Sequence, residues 1–174
     1  MIGTHADSVS EVLSEQPALA GRVIDAPEVL VPLVSPPLAR ANALGLELIL
    51  EGFLLHHGTP RCVDHVEMGA AVLAGDYCYA QGLVRIAATG DLAMVEALGD
   101  LVALSATAMA TGSEDDLLPL WRATAAALAG EAGPGTAEAV RVARSALREG
   151  VPGPIHDLAA SLPASPALAE VLAR

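Results

Sequence analysis

The chain predicts an all-α fold, and three observations carry that prediction. Hydrophobic residues make up 53 % of the 174 residues and aromatics only 2 %, so the core is aliphatic. Ala and Leu, which dominate it, are strong helix formers, while strand-favouring Tyr, Phe, Thr and Ile are scarce. Apolar residues recur at i, i+3/i+4 and i+7 over long stretches, which is the helical period. The length suits one domain, residues 1–174, with a core of its own. It divides into N-terminal helices (1–35), a core bundle (36–149) and C-terminal helices (150–174), six to eight helices in all. No internal repeat or low-complexity tract interrupts it.

Residues 1–35 read as one or two short helices broken by Pro17, Pro27 and Pro32. Ser8 is the expected N-cap, with Glu11 three residues on completing a capping box. Pro36 and Pro37 open a longer helix over 38–57, since Pro is tolerated in a first turn. Its polar side is Arg40, Glu47 and Glu51. His56 and His57 complement the dipole at its end, and Gly58 fits the C′ position. The next helix spans 63–88. Val66, Ala70, Leu73, Tyr77, Ala80, Val84 and Ala87 form its stripe, and Val72, Cys78, Tyr79 and Leu83 make the other faces apolar too. A helix apolar most of the way round is expected to be buried on several sides.

Gly90 and Asp91 stop that helix, and Asp91 N-caps another reaching residue 110, with Glu96 and Asp100 as its main charges. Ser113 caps a further helix, ending near residue 129, that has Glu114, Asp115 and Asp116 in its first turn and also carries Trp121. Residues 130–135 read as a loop, and Thr136 caps a helix to residue 148. Pro152, Pro154, Pro163 and Pro166 frame two short terminal helices.

The net charge is −12 and the pI about 4.6. The nine basic residues are all Arg, scattered from Arg22 to Arg174. That pattern disfavours nucleic acid and an anionic membrane surface as partners. Cys62 and Cys78 cannot build a disulfide framework or a zinc site. The first residues lack the basic and apolar regions of a signal peptide. Charges at Glu47, Glu51, Asp76 and Asp91 interrupt the apolar stretches short of the roughly 20 residues a spanning helix needs. The expectation is a cytoplasmic protein with no integral membrane segment. Two long apolar helices exceed what a small monomer can enclose, which points to a subunit interface. The alternative is that Ala-rich helices inflate the count and pack within the monomer.

Few residues offer chemistry. His56, His57, His65, Asp64 and Glu67 lie close in sequence. Adjacent histidines point to different helix faces, however, and the spacing matches no metal template, so no metal site is expected. Cys62 or Cys78 could be drawn with His65 and Asp64 as a nucleophile arrangement. Nothing local supports it, and Cys78 reads as a small packed hydrophobe. Asp115 and Asp116 read as a solvated helix start. Asp76, inside an apolar helix, is expected to need a buried donor. No residue is assigned a catalytic role.

Segment 70–80, Ala-Ala-Val-Leu-Ala-Gly-Asp-Tyr-Cys-Tyr-Ala, followed by Gly90-Asp91, resembles the "AVLAGDYLLARAF…GD" stretch of trans-polyprenyl diphosphate synthases, members of the all-α isoprenoid synthase family. Gly75, Asp76, Tyr77, Gly90 and Asp91 carry the resemblance. It covers residues 47–110 well, about a third of the chain. It is weaker over 120–133, similar to the family's "AAxxLGALLAG" helix, and over 162–174, similar to its last helix. Catalytic members hold Mg²⁺ against a diphosphate with two Asp-Asp-x-x-Asp runs. This chain has neither, and it has no Lys with which to grip diphosphate. The helix that should end in the first run ends in Phe53-Leu-Leu-His-His-Gly-Thr-Pro-Arg61. Its Gly58-Thr59-Pro60 resembles the family's Arg-Gly-x-Pro-Thr that follows the run.

The pattern looks like the small non-catalytic subunit of heterodimeric long-chain prenyl diphosphate synthases. It departs from that pattern after residue 110, where Thr111-Gly112-Ser113 stands in place of an Asn-Glu-like pair. The resemblance implies a truncated isoprenoid-synthase-type bundle, inactive alone. It would be a non-catalytic or regulatory subunit in isoprenoid or quinone side-chain biosynthesis. It would pair with an Asp-rich catalytic subunit, help wall the prenyl-chain channel, and contribute to prenyltransferase activity only in the complex. It would have no cofactor of its own, Mg²⁺ entering only through the partner, and an allylic or prenyl diphosphate is the candidate ligand. Leu73, Tyr77, Ala80, Val84, Met94 and Leu98 are the expected interface or channel residues. A competing reading is a homodimeric helical scaffold or apolar-ligand-binding protein. A third places an unrecognised active site at His56, His57, Asp64 and Glu67.

Overall fold

The computed structural model describes residues 8–34, 40–129 and 135–174. Among them are nine α-helices: α1 (Val9–Ser14), α2 (Val31–Val34), α3 (Arg40–His57), α4 (Met68–Ala87), α5 (Leu92–Thr111), α6 (Leu117–Ala129), α7 (Thr136–Arg148), α8 (Gly153–Ala160) and α9 (Pro166–Leu172). Short 3-10 turns lie at Pro17–Leu19 and Glu114–Asp116. The described residues contain no strand, only an isolated antiparallel bridge between Val23 and Val63. The fold is all-α, and the short α1 and α2 bring the count above the expected six to eight.

Several caps fall where the sequence places them. Ser8 Oγ accepts from the Glu11 amide at 3.2 Å and starts α1. Asp91 Oδ1 accepts from the Met94 amide at 3.0 Å and starts α5. Others differ. The chain makes a 3-10 turn before α6, so the Ser113 side chain caps nothing. Gly135, at φ 102°, is the N-cap of α7, and Thr136 is its first helical residue. Gly112, at φ 71°, ends α5 in the left-handed conformation that glycine adopts without steric cost. Residues 63–67 are not helical. They strap back to the N-terminal segment through Ile24 N to Cys62 O (3.0 Å) and Asp64 N to Arg22 O (2.8 Å). The helix opening at Pro36-Pro37 and residues 130–134 of the expected loop lie outside the described residues.

α3 is the spine. Its Leu46, Ile49, Leu50, Phe53 and Leu54 enter the larger core with α5, α6, α7 and the terminal helices. Its Leu44, Leu48 and Leu55 enter a smaller core with α1, Cys62 and Cys78. The helix is therefore buried on both sides, which no single-face pattern predicts.

α3 and α4 run antiparallel at very close range. Gly45 and Gly52 on α3 face Gly82 and Gly75 on α4. A Cβ at Gly82 would stand 2.7 Å from the Gly45 carbonyl oxygen, and one at Gly52 would stand 3.0 Å from the Gly75 carbonyl. The four positions are notches that let two backbones touch, so the inner face of α4 must be small: Ala74, Gly75, Cys78 and Gly82, with Ile86 at the end.

This inverts the expected α4. The stripe picked by its period points outward: Leu73, Ala80, Val84 and Ala87 are exposed, Leu73 at 69 % and Val84 at 63 %. The helix is not buried on several sides, because its large residues lie opposite the glycine contact. α5 buries Met94, Leu98, Leu101, Leu104 and Ala108, while Leu92, Glu96, Gly99, Ala103, Ala106 and Ala110 are exposed. By length and composition α5 is the one described helix able to cross a membrane, with a mean hydropathy of 1.5; 39 % of that apolar window is buried in the bundle.

Candidate functional site

Glu47 and Glu51 sit one turn apart on α3, a spacing that places both on one face. They were expected on its polar side, yet both are fully buried. Glu47 Oε1 accepts from the Leu30 amide and, at 3.0 Å, from the Val31 amide, so it holds the start of α2. Glu51 Oε1 accepts from the Arg61 and Cys62 amides, each at 2.8 Å. Arg61 lies between them. Its Nε donates to Glu51 Oε2 at 3.0 Å, and its Nη1 stands 3.0 Å from Glu47 Oε2, close enough for an ion pair but out of line for a hydrogen bond. Burial alone would lower the Arg61 pKa, but the two carboxylates outweigh it and raise it. The cluster ties the N-terminal segment and the 58–67 connection to the bundle. It is an internal brace with little room for a substrate.

At the end of α3, aromatic rings form a chain. His56 stacks on Tyr79 with centroids 5.3 Å apart and an interplanar angle of 12°. His57 lies 5.2 Å from Phe53, which lies 5.8 Å from Trp121. His56 Nε2 is 3.2 Å from Asp76 Oδ1. Asp76 needs no buried donor, because its side chain is 66 % exposed. Asp64 pairs with exposed His65, at 3.3 Å. Among the described residues no three His, Cys, Asp or Glu side chains are placed to hold a metal ion. Asp116 Oδ1 accepts from His156 Nε2 at 2.6 Å, fastening the turn before α6 to α8.

Neither cysteine is a poised nucleophile. Both are free and buried. Burial, then the nearby Glu51, pushes the Cys62 thiol up to about 12 and raises Cys78 as well. Reactive thiols need the opposite shift.

The candidate interface residues separate. Leu73, Ala80 and Val84 share the uncovered outer face of α4. Tyr77 sits on its flank, its hydroxyl donating to Glu15 Oε2 at 3.2 Å. Met94 and Leu98 are 2 % and 0 % exposed, packed in the chain's own core. Gly75 is one of the helix-crossing notches, Gly90 turns the chain at φ 78°, and Asp91 is a cap. These signature positions therefore have structural work.

Open clefts also mark the surface of the described residues. One of about 490 Å³ lies between α5, α6 and α7 and includes Met94, Leu128, Arg141 and Arg144. Another of about 400 Å³ includes Leu104, Ala108, Leu147, Thr107, Thr111 and Asp116. No family model, curated protein or solved structure matches this chain.

Proposed function

We propose that this chain is a non-catalytic helical subunit of a polyprenyl diphosphate synthase, docking on an Asp-rich catalytic subunit and helping to wall its channel. The observation that carries the docking is the outer face of α4, where Leu73 and Val84 are 69 % and 63 % exposed on a helix whose small residues face inward. Contiguous exposed apolar surface of this kind marks interaction sites. The prenyl synthase assignment rests on the resemblance over residues 47–110. The arrangement of carboxylates agrees with a non-catalytic role: the two adjacent glutamates on α3 are buried in an ion cluster with Arg61, and Asp76 and Asp116 are paired with histidines.

The test is reconstitution. The lone chain with allylic and isopentenyl diphosphates and Mg²⁺ is expected to make no product. Co-purification with an Asp-rich prenyl synthase, and a rise in that enzyme's turnover when the two are mixed, would support the role. Robust turnover by the lone chain would overturn it. The cleft of about 400 Å³ favours a second reading, a helical protein that binds a small apolar ligand. Retention of an isoprenoid alcohol by the lone chain, with no synthase partner, would favour that reading instead.

A further inference from the structure

The outer face of α4 carries one charge amid its apolar residues. Asp76 lies between Leu73 and Ala80 on that face, 66 % exposed, and its one ion-pair contact is His56 Nε2 at 3.2 Å. Covering the face would take this carboxylate out of water. His56 carries charge only when protonated, and a desolvated carboxylate without a permanent cation is costly, so the covering surface must bring one. A second copy of this chain has little to bring. Of its nine arginines, Arg40, Arg61, Arg141, Arg144, Arg148 and Arg174 are paired to carboxylates of the same chain. Arg22 and Arg122 donate to its own carbonyls. Arg85, on the flank of α4, is held by the Gln81 side chain at 2.6 Å. The outer face itself has no cation, and an isologous dimer would bring two such faces together.

We infer that the occupant of this face is a different protein chain, one that presents an apolar helix with a Lys or Arg set to meet Asp76. This rests on the reading of the α4 face as a docking surface. It adds the partner's chemistry and selects hetero-association over self-association. The cation supplies specificity and the apolar residues supply area, the usual division at interfaces. Exposed Glu67 at the start of the helix and a net charge of −12 extend the same preference.

The test uses the full chain and two matched amphipathic helical peptides with Leu along one face, one carrying Lys and the other Glu at the centre of that face. Binding is followed by fluorescence anisotropy at low and high ionic strength. The Lys peptide is expected to bind about tenfold more tightly than the Glu peptide, a preference that shrinks with salt. Asp76→Asn should erase the preference. Val84→Asp, at an exposed site whose folding circular dichroism can check, should abolish binding of both peptides. Equal binding of the two peptides would overturn the inference. So would a wild-type chain that already dimerises and is dispersed by Val84→Asp, although the docking surface would then stand with a second copy as its occupant. If neither peptide binds and Val84→Asp changes no assembly, the docking surface and the inference fall together.

Discussion

Arg61 is the cation on which two fully buried carboxylates depend. Replacing it with Met would keep much of its stem but leave Glu47 and Glu51 facing each other in the core. Breaking a buried pair in this way typically costs about 3–5 kcal/mol. Arg61→Met is therefore expected to lower the denaturation midpoint steeply, with urea unfolding as the measurement. His57 gives a pH signature. Burial first, and His56 second, lower its pKa from 6.5. The folded chain then binds that proton less readily than the unfolded chain. Its contribution to stability is full above pH 6.5 and is lost as pH falls through the folded-state value. Melting across that window should show the loss, and His57→Gln should flatten it. The glutamates show what the sequence hides at this scale. Their i, i+4 spacing is visible, but the groups that justify their burial, the Leu30 amide and Arg61, are 17 and 10 residues from Glu47 and Glu51. Local pattern reads such a pair as a solvated edge.

Helix by helix, periodicity and capping chemistry recovered most of the elements, because Ala and Leu propensity and an Asp cap act locally. The orientation of α4 escaped because a glycine contact reverses the usual rule that large residues face inward. Gly75 and Gly82 were the available signal, since they stand two turns apart on the helix, opposite Gly45 and Gly52 at the same spacing. The contact makes a sharp contrast testable. Gly82→Ala would place a methyl 2.7 Å from a backbone oxygen that cannot move alone, and overpacking of this kind typically costs about 1–3 kcal/mol. Gly99→Ala, at an exposed site within α5 with nothing within 4 Å, should instead stabilise by about 0.5–1 kcal/mol through helix propensity. Thermal unfolding of the two variants should move the melting temperature in opposite directions.

Across the whole molecule, composition alone was enough for the fold class, whereas the way the bundle closes was not readable from it. Two short N-terminal helices, a buried ion cluster and a spine helix shared by two cores all depend on contacts distant in sequence. Leu73→Asp is a test at this scale. Leu73 is 69 % exposed, so the variant should keep wild-type helicity by circular dichroism and, mixed with the catalytic partner, fail to form the complex seen by light scattering. A variant that unfolds would place Leu73 in a core after all. The glycine notches also govern how the chain finds its shape. In the native register Gly45 meets Gly82 and Gly52 meets Gly75. If α4 slipped along α3 by one heptad, Gly52 would meet Gly82 while Gly45 and Gly75 would lie opposite positions 89 and 59, beyond the ends of α4 and α3, and the reverse slip would likewise keep a single glycine match. The hairpin therefore behaves like a key with two teeth: a misthreaded α3–α4 pair cannot close to backbone contact. During folding such a pair would reopen instead of trapping the chain, and the four glycines would act as a check on the register of the two helices.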